Sequence, residues 1–139
     1  MLTRIFIDTL FVIALINRRD QYHQQALDLA AQFEGHPSLV TDAVLLEIGN
    51  ALARSSKQEA VEIIEQFFAA EEVEVVYLTS RLFTQGFTLY RSHQDEAWGL
   101  VDCISFIVMR EAGVNQALTF DQHFVQAGFQ ALMRETSHT

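Results

Sequence analysis

A chain of 139 residues, half of them hydrophobic, is long enough for one domain with a substantial core and too short for two. Its formal net charge of −9 excludes a protein that coats nucleic acid indiscriminately, because such binding relies on many Lys and Arg side chains neutralising phosphates. With one proline, Pro37, and a modest charged fraction, nothing suggests a linker, a disordered tail or a low-complexity tract, and a single domain over 1–139 is expected.

The opening stretch MLTRIFIDTLFVIALINRRD sets a basic residue before an apolar segment, as a secretory signal would. However, Asp8 interrupts it, no small-residue cleavage site follows, and the run from Leu10 to Ile16 is too short to span a bilayer. Residues Arg4 to Ile7 read instead as a buried strand that runs into Asp8-Thr9 and then into a helix through about Ile16. A second helix covers Tyr22 to Phe33 and is stopped by Gly35-His36-Pro37. Ser38 to Val40 is a short strand, after which Thr41-Asp42 offers an N-cap to a helix from Ala43 to about Arg54. Gln58 to Ala70 reads as a helix with Val61, Ile64, Phe67 and Phe68 inward and Glu59, Glu62 and Glu65 in water.

The segment VEVVYL gives a third strand, and Arg81 to Ser92 a helix carrying Leu82, Phe83, Phe87, Leu89 and Tyr90. After the polar break His93 to Glu96 come a helix from Trp98 to Gly113, a strand from Gln116 to Phe120, a helical turn over His123 to Gln126 and an edge strand from Gln130 to Leu132. Strands alternating with helices specify a three-layer α/β/α fold with a central parallel sheet of four to five short strands, whose sites form beyond the carboxyl ends of the strands. The single cysteine, Cys103, lies in an apolar helical pattern and reads as a buried thiol in a reducing compartment, which points to the cytoplasm.

Acids embedded in apolar sequence call for an explanation, since a carboxylate taken out of water costs several kcal/mol, roughly, unless a cation or a set of donors replaces its hydration. Asp8 and Asp121 end strand-like runs. Glu47 sits on or beside the apolar stripe of its helix, with Val44, Ile48 and Ala51 around it. Asp102 lies near the start of a helix between Trp98 and Phe106. Gathered at one sheet edge, four such acids repel one another unless a divalent cation lies among them, and oxygen ligands select a hard ion such as Mg2+ or Mn2+. The histidines His23, His36, His93, His123 and His138 lack the spacing of a zinc site and read as surface or core residues. A metal held by carboxylates at a strand edge suits hydrolytic phosphoryl chemistry.

The segments FIDT at 6–9, LLEIGNALAR at 45–54, WGLVDCISFIVM at 98–109 and TFDQHF at 119–124, taken as an ordered set, resemble the PIN-domain family of metal-dependent ribonucleases. The resemblance spans nearly the whole chain. It implies a parallel sheet flanked by helices, an acidic pocket binding Mg2+ or Mn2+, and hydrolytic cleavage of RNA. It also implies kinship with VapBC-type toxins, which a small antitoxin inhibits by inserting its tail into the active-site groove. Asp8, Glu47, Asp102 and Asp121 match the acidic positions of the family, and Thr9 and Thr119 match polar positions beside them that order metal-bound water. Asn50, one turn after Glu47, either supports that glutamate or makes a packing contact, and Asp95 is a further acid nearby. One departure is visible: Leu10 stands where many relatives carry a polar residue, often Asn, two places after the first aspartate.

The same residues weigh against other chemistries. A haloacid-dehalogenase-type phosphatase needs a second acid at the place of Leu10, and a phosphoacceptor receiver domain needs paired acids and a late lysine that are missing. Cys103 has no histidine placed to activate it. The remaining alternative is a catalytically weak PIN-like scaffold for protein interaction. An acidic ribonuclease must draw its RNA-binding charge from Arg18, Arg19, His23, Arg54, Lys57, Arg81, Arg91 and His93, and a homodimer would place such residues from two chains around a shared groove.

Overall fold

The computed structural model describes residues 3–135, the side chain of Glu135 excepted; the ends of the 1–139 span and His138 lie outside the described residues. Five short strands form one wholly parallel sheet: β1 (Ile5–Ile7), β2 (Ser38–Thr41), β3 (Val73–Val76), β4 (Gln116–Leu118) and β5 (Gln130–Ala131), in the order β3-β2-β1-β4-β5. The helices that flank it are α1 (Thr9–Ile16), α2 (His23–Gln32), α3 (Asp42–Ala51), α4 (Lys57–Ala69), α5 (Ser80–Ser92), α6 (Leu100–Ala112), α7 (Gln122–Gln126) and α8 (Leu132–Glu135). The expected three-layer α/β/α architecture is therefore borne out. Among the described residues, no helix is long and apolar enough to cross a membrane.

The sequence pattern explains the centre. In β1 and β2 every residue is buried, as befits strands covered on both faces, and Ile5, Phe6, Leu39 and Val40 are fully enclosed with Phe106, Met109 and Phe124. Thr41 caps α3 by accepting a hydrogen bond from the Val44 N–H at 3.1 Å, in line with its residue type. Two glycines shape the α5–α6 region. Gly113 ends α6 with φ 69°, a left-handed cap, and a Cβ on Gly86 of α5 would meet Ile104 Cγ1 at 2.7 Å, so α5 packs directly on α6.

Several boundaries differ from the expected ones. The helix expected from Trp98 starts at Leu100, because Gly99 has extended backbone (φ −77°, ψ 166°). The strand expected to reach Phe120 ends at Leu118, and Leu132, expected in the edge strand, opens α8 instead. In α4, Val61 and Phe68 are exposed rather than inward, and Ala60 is the residue buried most completely. In α5 only Leu82 and Gly86 are buried, leaving Phe83, Phe87 and Tyr90 in water.

The strand order fixes where a site can form. The chain leaves β1 toward β2 and leaves β4 toward β5, so the connections diverge on opposite sides of the β1–β4 pair and open a crevice beyond their carboxyl ends. Ile7 pairs with Leu118, and the Asp8 N–H donates to the Leu118 carbonyl at 3.3 Å, which sets Asp8 level with Thr119.

Candidate functional site

A cleft of about 640 Å3 lies at that crevice, and Asp8, Glu47, Asp102 and Asp121 all line it together with Thr9, Asn50 and His123. Asp8 directly follows β1 and is 4% exposed. It is the N-cap residue of α1 but makes no side-chain capping bond there; its Oδ2 instead accepts a hydrogen bond from the Thr119 hydroxyl at 2.8 Å. Burial pushes the Asp8 carboxyl up to about 7, opposed by the Thr119 hydrogen bond and reinforced by the charges of Asp102 and Asp121.

Asp102 occupies the first turn of α6, where the helix dipole favours negative charge. Its Oδ2 accepts from the Gly99 N–H at 3.1 Å and lies 3.1 Å from His123 Nδ1. Burial raises its carboxyl above the usual range, against the lowering effect of the Gly99 N–H and of His123. Asp121, expected at a strand end, lies three residues past β4 and caps α7, its Oδ1 accepting from the His123 N–H at 2.9 Å. Its own N–H donates to Thr119 Oγ1 at 3.1 Å, so a single hydroxyl ties Asp8 to Asp121.

Glu47 stands on the cleft side of α3, where the Thr9 hydroxyl donates to its Oε1 at 2.6 Å. Partial burial raises this carboxyl too, opposed by Thr9 and reinforced by Asp102. Thr9 and Thr119 thus each donate their one hydroxyl proton to a carboxylate and position acids. Asn50 lines the cleft one turn beyond Glu47, and Leu10 lines it as well. Asp95 is exposed in the connection between α5 and α6 and does not line the cleft. Cys103, next to Asp102, is fully buried, and its thiol is pushed up to about 11, mainly by that burial, which leaves it inert.

His123, expected at the surface or in the core, lies in the cleft, its Nδ1 being 3.1 Å from Asp102 and 3.3 Å from Asp121. The local signal was the Asp-Gln-His spacing at a helix start, because an aspartate that caps through the N–H two residues on brings that residue's side chain back beside it. One ligand atom each from Asp102, Asp121 and His123 lie within 4.8 Å of one another, the grouping among the described residues best suited to an ion. The carboxylate oxygens of Asp102 and Asp121 fit a hard divalent cation, while His123, whose Nδ1 faces both, serves them as a donor.

Comparison with known proteins bears on the family and the fold. A match to the PIN domain family spans residues 5–130. The 23S rRNA-specific endonuclease VapC20 of Mycobacterium tuberculosis, in strains H37Rv and CDC 1551, is 33% identical over 127 residues, covering 90% of this chain and 95% of the relative. The crystal structure of Mycobacterium tuberculosis VapC20, a Sarcin-Ricin loop cleaving toxin, has a TM-score of 0.82 and 32% identity over 90% of this chain and 95% of its own. With the family match across most of the chain and a relative of this similarity in both sequence and fold, the protein belongs to the PIN-domain family.

Proposed function

We propose that this protein is a divalent-metal-dependent ribonuclease that hydrolyses RNA phosphodiester bonds, acting as the toxin of a VapBC-type module. The observation that carries the reading is that four acids distant in sequence, Asp8, Glu47, Asp102 and Asp121, line one cleft beyond the carboxyl ends of β1 and β4. Membership of the PIN family and likeness to an RNA endonuclease supply the reaction class.

Asp8, Asp102 and Asp121 would hold Mg2+ or Mn2+, with Glu47 on α3 as a further ligand or as an acceptor for the proton of the attacking water. When bound, the cation supplies charge neutralisation at the scissile phosphate and greater acidity to an attacking water. The chain's own contribution is placement. Thr119 fixes Asp8 against Asp121, Thr9 fixes one oxygen of Glu47, and Gly99 and His123 fix Asp102 before any substrate arrives. A small antitoxin entering this cleft would compete with RNA, and a homodimer would enlarge the surface offered to it. A cytoplasmic location suits the buried, unpaired thiol of Cys103. The scaffold alternative is the weaker reading, since all four acids share the cleft.

The test is cleavage of end-labelled ribosomal RNA fragments by purified protein with Mg2+ or Mn2+. We expect discrete products that EDTA prevents, and no products from Asp8→Asn or Asp102→Asn proteins whose circular dichroism matches the parent. Undiminished cleavage by both variants would sink the proposed site. Millimolar Mn2+ should also raise the melting temperature, by binding only the folded state.

A further inference from the structure

We propose that a second cleft, adjoining the acidic one, is a base-stacking subsite that receives an unpaired nucleobase of the RNA on Phe87, Tyr90 and His93 while Arg91 meets a neighbouring phosphate; this rests on the ribonuclease reading above.

Four observations carry it. The first is an aromatic row left in water along α5. Phe83, Phe87 and Tyr90 are 45%, 41% and 43% exposed, with the Phe83 and Phe87 rings 6.4 Å apart at 5° and the Phe87 and Tyr90 rings 6.3 Å apart at 28°. Rings exposed in this way leave apolar surface in water, save where Arg91 lies over Phe87. The second is a firmly held platform beside that row. The His93 ring stacks on Trp98 with centroids 4.9 Å apart, and its Nδ1 lies 3.1 Å from the Leu89 carbonyl. Trp98 is fixed in turn by Phe106 and by its Nε1–H, which donates to Gln126 at 3.1 Å.

The third observation is charge. Arg91 lies 5.4 Å over the Phe87 ring, and among the described residues no carboxylate forms an ion pair with it. In a chain of net charge −9, a guanidinium held by an aromatic face rather than by an acid keeps its charge available to a phosphate. The fourth is continuity. The cleft, about 660 Å3, contains Phe87, Tyr90, Arg91, His93 and Trp98, and it shares Ala97 and Gly99 with the acidic cleft. A strand whose scissile phosphate lies beside Asp8 and Asp102 therefore has an adjoining place for a flanking nucleotide. Unpaired RNA bases are held by stacking on aromatic and guanidinium planes, and every base offers such a face. A second copy of this chain would also cover the aromatic row, but it would draw no benefit from an unpaired arginine or from continuity with the acids.

The test uses full-length protein and a single-stranded oligoadenylate of about ten nucleotides carrying one 2-aminopurine, a length within the roughly 4–16-nucleotide range of single-strand sites. In EDTA, where nothing is cut, binding should quench the 2-aminopurine, with affinity falling roughly tenfold in Phe87→Ala and Tyr90→Ala and persisting in Phe87→Trp. With Mn2+, the same alanine variants should raise KM roughly tenfold and leave kcat unchanged. Equal affinity in parent and variants would overturn the subsite. So would a fall in affinity accompanied by halving of the sedimentation mass, which would assign the row to a second copy of the chain. Quenching with no cleavage of either the oligoadenylate or the ribosomal RNA fragments under any divalent ion would keep the subsite and overturn the ribonuclease reading. Cleavage with unchanged KM would do the reverse.

Discussion

The two sides of the acidic cleft hold their carboxylates by different means. On the β1 side, Asp8 is almost completely buried, with the Thr119 hydroxyl and the Thr9 N–H as donors and, among the described residues, no ion pair with a cationic side chain. On the α6–α7 side, Asp102 and Asp121 keep about a fifth of their side-chain surface in water, 20% and 19%, and are served by the Gly99 N–H, the His123 N–H and the His123 ring. The difference teaches that the cluster is unevenly prepared for negative charge. Burial disfavours charge on both sides, but Asp102 has a backbone N–H and the His123 ring to oppose it, whereas Asp8, more deeply buried, is the acid that most needs a proton or a metal ion.

The largest effect that would break this contrast is at Asp8. Asp8→Asn removes the charge from the side with least compensation, and cleavage should fall on the order of 10³-fold, the scale for losing one well-placed electrostatic group. Metal-free stability should move the other way. Because the neutral amide avoids burying an unpaired charge, the variant should melt several degrees above the parent at pH 8 and close to it below about pH 4, a difference that calorimetry in EDTA would read. A variant less stable than the parent at pH 8 would mean that the Asp8 charge is already well compensated in the metal-free fold.

The pH profile of the parent follows from the same residue. An aspartate in an unfolded chain titrates near pH 4, roughly, whereas the folded Asp8 carboxyl is pushed up to about 7. The folded state therefore holds this proton more tightly. The resulting stability is fully present below about pH 4 and is lost as pH rises through about 7, with a limit on the order of 4 kcal/mol for a three-unit difference. Urea unfolding in EDTA should show the midpoint falling across that window. With Mn2+ the decline should shrink, since the ion takes the place of the proton at high pH; an unchanged slope would detach Asp8 from the cation site.

Thr119→Val is the next smaller change. It keeps the shape of a fully buried side chain while removing both the donor to Asp8 and the acceptor of the Asp121 N–H. Leaving these groups unpaired should cost about 1–3 kcal/mol at pH 8. In the Asp8→Asn background Thr119→Val should cost less than it does in the parent, because both changes act on one hydrogen bond. Strict additivity would place the importance of Thr119 in its packing.

Much of this was legible because local chemistry and the final contacts coincide. The apolar run of β1 ending in Asp8, Thr41 as a cap, and Glu47 at the border of an apolar helical stripe follow from the order of residues alone. The gathering of the acids was legible in part: Asp8, directly after a strand, lies at the carboxyl edge of a parallel sheet, where sites form. What escaped depended on contacts between separate segments. The ring of His123 meets Asp102 across 21 residues, and no spacing within one segment reports such a meeting. Phe83, Phe87 and Tyr90 have the composition of a buried face, but Gly86 and Leu82 are the residues that dock α5, and the side chains beside them are turned to water. Asp121 was placed at a strand end because Thr119 and Phe120 suit a strand; its side chain bonds to the His123 N–H instead and starts α7.

The smallest expected effect tests the α6–α7 side. His123 Nδ1 lies between two acceptors, Asp102 Oδ2 and Asp121 Oδ1, so the nitrogen that faces them carries a hydrogen. His123→Ala removes that ring donor but leaves the backbone N–H of residue 123 on Asp121 and the Gly99 N–H on Asp102. Because the ring and both carboxylates keep about a fifth of their surface in water, the loss of metal-free stability should stay below about 1 kcal/mol. The same substitution in the Asp8→Asn background should cost the same amount, for it acts on the side that Asp8 does not govern. A loss of several kcal/mol, or a strong dependence on residue 8, would show that His123 and not the backbone holds the α6–α7 side together, and that the cleft behaves as one electrostatic unit.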